Sequence, residues 1–191
     1  METVFNYLLL GWEHIVSPDA VDHQLFLLAL FWPFSLQDYR KVLILVTAFT
    51  IGHSITLALS STGLVRIPAA SIEFLIAVSI FCTALIQWWG WGEVRNFSVV
   101  FGITGIFGLL HGLGFANTLK NLLGREESLL APLFGFNAGV EFGQLALLLL
   151  LFVFRYLVER FLPDWEDKLS RTILLISIAG SAWMIWQRMP L

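Results

Sequence analysis

The chain has 191 residues, 58% of them hydrophobic and 13% charged, with a net charge of -3 and a mean hydropathy of +0.80. A soluble domain carries about 25% charged residues, so this composition excludes an ordinary water-soluble fold; with no basic tail or patch, it also excludes a nucleic-acid binder. The single cysteine, Cys82, excludes an internal disulfide and a thiolate metal cluster.

In chain order, residues 1–16 carry Glu2 but no Lys or Arg, so they lack the basic start of a secretory signal. They read as part of the mature protein and as a short interfacial helix with Phe5, Leu8, Leu9 and Trp12 on one side. Six spans follow, at about 18–36, 40–60, 69–89, 97–116, 130–154 and 170–187. The first opens on Ser17-Pro18, the second ends before Ser61-Thr62-Gly63, and the third opens after Pro68. Several of these runs approach or exceed the roughly 20 apolar residues that carry a helix across a bilayer. The short alternating segments of a membrane barrel are absent from the pattern. With short connections throughout, the expectation is one all-α, polytopic membrane domain over 1–191. Trp32, Trp88, Trp89, Trp91, Trp183 and Trp186 fall near span ends, where indole favours the headgroup level.

Orientation follows from the cations. One side carries Arg66, Lys120, Arg125 and Arg188; the other carries Arg40, Lys41, Arg95, Arg155, Arg160, Lys168 and Arg171. The richer side belongs in the cytoplasm, which puts both termini outside it.

The four histidines, His14, His23, His53 and His111, all fall in or beside the apolar segments. Between Gln24 and Gln37 only 14 residues are uncharged, about 21 Å of helix at 1.5 Å per residue against a core of ~30 Å. Completing the first span therefore draws Asp22 and His23 to membrane depth. His53, Glu73, His111, Asn137 and Glu141 reach a similar depth, in the outer half, from four other spans. The inner half is nearly bare of polar residues. Ionisable groups inside a membrane mark function by default, and imidazole with carboxylate suits a divalent transition metal. Asn137, Glu141 and Gln144 share one helical face, with Gly135, Gly139 and Gly143 opposite as a close-packing stripe. Gly102, Gly105, Gly108 and Gly112 make a second stripe, with His111 beside it.

Plainer readings apply residue by residue. A lone His53 serves as helix-to-helix glue, as do Asn137 and Gln144. His14 fits the water interface, and Glu73 fits an acid near a helix N-terminus. The set of His23, His53 and His111 with Asp22 is more than such glue needs.

The blocks "GWEHIVSPDAVDHQLFLLAL", "FTIGHSITLAL", "IEFLIAVSI", "FGLLHGLGFA" and "FNAGVEFGQ" carry, in order, His14 with Asp22-His23, His53 with Ser54 and Thr56, Glu73, His111, and Asn137 with Glu141 and Gln144. Together they resemble the HupE/UreJ family over roughly residues 9–152. Two departures stand out: Ala20-Val21 replaces a glycine usual before the Asp-His pair, and "ALIQ" from Ala84 to Gln87 lacks an acid often found there. The resemblance implies a hydrogenase or urease accessory protein that handles nickel, often as a secondary permease.

Two function classes follow. In the first, the chain carries a divalent metal inward, nickel before zinc, cobalt or copper. His14 captures the ion, Asp22, His23, His53 and His111 hold it, and Glu73 and Glu141 supply charge balance or proton coupling. No nucleotide-binding loop suggests coupling to ATP. In the second, three histidines hold zinc, which lowers the pKa of a bound water to about 7, and Asp22 or Glu141 is the general base for hydrolysis of a lipid or peptide bond. A third reading leaves the histidines only holding helices together. Expected partners are the metal ion and the bilayer, then a second copy of the chain or metalloenzyme maturation proteins.

Overall fold

A computed structural model describes residues 2–32, 34–89, 97–123 and 129–190. Among these residues all regular structure is helical: α1 (Glu2–Val16), α2 (Val21–Phe31), α3 (Tyr39–Ser61), α4 (Ala69–Trp88), α5 (Phe97–Leu123), α6 (Leu130–Phe161) and α7 (Glu166–Gln187). Short 3-10 turns lead into α3 and α7. Trp91, Arg95 and Arg125 lie outside the described residues.

Local chemistry sets the helix ends. At the start of α3, the Asp38 carboxylate accepts from Lys41 Nζ at 2.7 Å and Ser35 Oγ at 2.8 Å. Its negative charge also suits a helix N-terminus. At the other end of α3, Gly63 takes φ 78°. Its N–H reaches Ser60 O at 2.9 Å while Leu64 N–H reaches Leu59 O at 3.1 Å. That pair of bonds is the Schellman stop, which needs a residue tolerant of the left-handed region. The Ser61-Thr62-Gly63 end expected from sequence is this turn.

The segments 36–61, 69–88, 130–161 and 163–187 are long and apolar enough to cross a membrane. The first expected span is shorter than drawn: α2 has 11 residues, about 17 Å of helix. The fourth expected span contains a shorter apolar stretch, Val100–Ala116.

Glycine contacts fix how the helices pair. A Cβ on Gly135 would overlap the Val4 carbonyl oxygen, one on Gly139 the Leu8 carbonyl oxygen, and one on Gly11 the Phe136 carbonyl oxygen. So α1 lies parallel to the first half of α6 with the two backbones touching. The interfacial helix of the expectation is thus packed along its length, with Leu8 turned partly inward; Phe5, Leu9 and Trp12 remain exposed. Farther along α6, Phe31 meets Phe152 with ring centroids 4.7 Å apart. Hence α1 and α2 follow one another along α6, interrupted by Ser17–Ala20. By the same device α3 and α5 run parallel: a Cβ on Gly108 would overlap the Phe49 carbonyl oxygen, and one on Gly112 the His53 carbonyl oxygen. Thr56 Oγ1 bridges this seam by donating to Leu109 O at 2.7 Å.

Two apolar clusters result. The larger joins Phe26, Phe31, Phe49, Ile72 and Ile80, and the smaller joins Ile15, Leu57, Phe136 and Val140. Trp32 departs from its expected anchoring role. It is buried, donates from Nε1 to Ser170 Oγ at 2.6 Å, and its carbonyl accepts from Arg155, whose guanidinium also meets Glu159 and Glu166 at 2.8 Å each. Trp88, Trp89, Trp183 and Trp186 are exposed.

Candidate metal centre

The break between α1 and α2 builds the first wall of the site. Ser17 N–H still bonds Glu13 O at 2.9 Å, closing the last turn of α1. Ser17 O then accepts Ala20 N–H at 2.9 Å and Gln24 Nε2 at 2.8 Å, which ties the turn to the start of α2. His14, one turn before the break, and His23, just after it, meet edge to face with centroids 4.7 Å apart. On a continuous helix residues nine apart would sit about 13.5 Å apart along the axis.

α3 contributes His53, which is fully buried, with centroids 6.2 Å from His14 and 6.4 Å from His23. α5 contributes His111, 5.2 Å from His23. The glycine-tight α3–α5 seam is what brings these last two helices into one layer. Aromatic rings wall the group: Phe115 lies 4.1 Å from His14, Phe49 5.0 Å from His111, and Phe136 6.2 Å from His53. The group therefore sits between the two apolar clusters.

The hydrogen bonds orient the rings. Asn137 Nδ2 donates to Leu133 O at 2.8 Å, which leaves its Oδ1 facing His53 Nδ1 at 3.4 Å. His111 Nδ1 donates to Phe107 O at 2.8 Å. With the proton on Nδ1, each ring keeps its lone pair on Nε2, the arrangement that a carbonyl partner imposes on metal-binding histidines. In all four rings Nε2 is buried without a hydrogen-bond partner among the described residues. An orphaned buried polar atom costs about 1–3 kcal/mol, so four in one layer call for an occupant. Ligating nitrogens of His14, His23 and His53 lie within 4.8 Å of one another. That spacing would let the three imidazoles converge on one ion, and imidazole donors suit a divalent transition metal. The residues fit a divalent metal.

The carboxylates of the expectation do not join this group. Asp22 is paired with Arg188 at 3.1 Å. Glu73 is exposed, and its backbone oxygen, at 3.4 Å, accepts from Arg188. Glu141 Oε1 accepts from Thr47 Oγ1 at 2.7 Å, while Oε2 is buried and without a partner among the described residues. Gln144 Oε1 takes Thr50 Oγ1 at 2.8 Å. The Asn137, Glu141 and Gln144 face therefore meets α3. Arg188 was missed from sequence because it lies 165 positions from His23 and reads as an ordinary charge after a span. Its one signal is depth, since it ends the last span on the same side as Asp22.

A cleft of about 300 Å³ opens onto the group, lined by Glu13, His14, Ser17, Asp19, Asp22 and His23. Three carboxylates at a mouth raise the local concentration of cations. Farther inward the chain is less bare than its sequence suggests. Ser79, Thr83 and Gln87 form a buried file on one face of α4, and Ser177 and Ser181 are buried on α7, which packs against α4. Their hydroxyls donate to carbonyls of their own helices, while Gln87 Oε1 has no partner among the described residues.

No curated protein and no solved structure matches the chain. The family model described as HupE / UreJ protein matches residues 1–187, which is nearly all of the chain and includes every histidine of the group. The chain belongs to the HupE/UreJ family.

Proposed function

We propose that this chain is a carrier in the bacterial inner membrane, taking up a divalent transition-metal ion, nickel before zinc, cobalt or copper. The observation that carries this reading is the set of four buried histidine Nε2 atoms without partners. His14, His23 and His53 are the primary ligands, with His111 the fourth. Asp22 and Glu141 balance charge near the ion, and Glu73 serves at the outer rim. The acidic cleft supports entry from the side of Glu13 and Asp19. The buried file on α4 and α7 supports onward passage, because polar groups at depth mark ion pathways. Six crossings, with α1–α2 and α5 completing the four long segments, put both termini outside the cytoplasm. The handed-on ion suits maturation proteins of a nickel enzyme, and a second copy of the chain is a further partner.

Hydrolysis is the weaker reading. Its candidate bases are already engaged, Asp22 by Arg188 and Glu141 by Thr47. A base must stand within hydrogen-bond reach of the water it activates.

Equilibrium dialysis of purified protein against Ni²⁺, followed by elemental analysis, tests the reading. About one ion per chain is expected, the load of one four-coordinate site. H53A and H111A should lose affinity by more than the roughly 10–100-fold that an outer-shell change costs, and should abolish uptake in metal-limited cells. Unaltered uptake by folded H53A would sink the carrier.

A further inference from the structure

Arg188 follows the last residue of α7 and holds three oxygens from two other helices. Its Nη1 lies 3.2 Å from Asp22 Oδ1, 3.1 Å from Asp22 Oδ2 and 3.4 Å from the Glu73 carbonyl oxygen. Both charged side chains are about three-quarters buried, at 26% and 24% exposed. Asp22 lines the acidic cleft and adjoins His23 in the chain, so the pair sits where an entering ion must pass.

Charge counting gives the pair a purpose. With neutral imidazoles, Asp22 and Arg188 sum to zero, so the pair itself adds no net charge to the empty site. A carboxylate left alone at this depth would be strongly penalised, and the guanidinium removes that penalty. Adding a divalent ion beside the intact pair raises the local charge to plus two. Swinging Arg188 out to water lowers it to plus one and frees both Asp22 oxygens for the ion. Long arginine side chains make such excursions readily, since their heads reach water while their stems stay packed. A monovalent cation would have to displace an equal charge that is tethered in place. A divalent one brings twice the attraction.

We propose that Arg188 is a tethered counter-cation: it occupies Asp22 while the histidine group is empty, gives way to a divalent metal, and thereby sets the affinity of the site and its preference for double charge. This rests on the metal-binding reading above. Arg188 acts through Asp22 and is a positioning residue.

The test is Ni²⁺ titration of the full chain in detergent, comparing wild type, R188Q, R188K, D22N and the double variant D22N/R188Q. R188Q should bind Ni²⁺ at least tenfold more tightly, and added guanidinium should bring it back toward wild type. R188K, which keeps the charge on a shorter and more strongly hydrated head, should fall between the two. In the D22N background, removing Arg188 should change affinity less than threefold, because the competition runs through that carboxylate. Equal or weaker binding by folded R188Q overturns the proposal while leaving the metal site standing. If R188Q does not fold, R188K binding more weakly than wild type overturns it instead. A wild type that binds no Ni²⁺ overturns the metal-site reading and this proposal together.

Discussion

A histidine in a membrane protein can spend both ring nitrogens on holding helices together, and then it is glue. His53 and His111 spend one each, on Asn137 and on the Phe107 carbonyl, and keep the other pointed into a shared buried space. Asn137 thus acts on the histidine group through His53. N137A should weaken Ni²⁺ binding by roughly 10–100-fold, the usual cost of losing an outer-shell partner, and N137D, which keeps an acceptor, should recover most of it. Titration of the two variants beside wild type decides the point; equal affinity in N137A would leave Asn137 as helix glue alone. The donor types were legible from sequence, since only four histidines exist and all lie near apolar runs. Their division of labour was not, because it depends on which carbonyl or amide lies across a helix contact.

At the scale of helices, the two glycine stripes have different jobs along their length. A Cβ on Gly108 would overlap the backbone of Phe49, but one on Gly102 would meet nothing within 4 Å. G108A should therefore force α3 and α5 apart, costing about 1–3 kcal/mol as overpacking does, and should loosen His111 from the group. G102A should be neutral in thermal unfolding. The contrast sinks the seam argument if both variants unfold alike. The stripes were readable as close-packing faces, and the bounds of α3 and α4 followed from hydropathy and stop signals. Sequence periodicity did not reveal that α1 would be the partner of Gly135 and Gly139. Amphipathic pattern says that a face is buried but not against what, and a helix with Phe5, Leu9 and Trp12 exposed looks the same at a lipid interface as on another helix.

Across the whole molecule, the histidine group and the Arg155 knot occupy opposite ends of α2. Arg155 is 7% exposed and ties the end of α2 to α6 and to the start of α7. Glu159 and Glu166 are about a third exposed, so solvent screening discounts the ion pairs. What remains is mainly the orphaned Trp32 carbonyl. R155L should thus destabilise the fold by about 1–3 kcal/mol while leaving Ni²⁺ affinity within threefold. Thermal unfolding and titration of one preparation would show whether the two ends are independent; a parallel loss of affinity would say they are not.

The sequence alone determined the membrane class, most helix ends and the four histidines that the fold then gathers. These follow from hydropathy, turn chemistry and helical rise, all of which are local. Only the tertiary structure decided that Asp22 turns to Arg188, that Trp32 is buried rather than at an interface, and that the broken α1–α2 pair folds His14 back onto His23. The first two outcomes depend on the register between helices far apart in the chain, and the third on the bonds that Ser17 makes across the break. A local pattern says that a face is buried but not against which distant helix, so no stretch of the sequence by itself encodes that register.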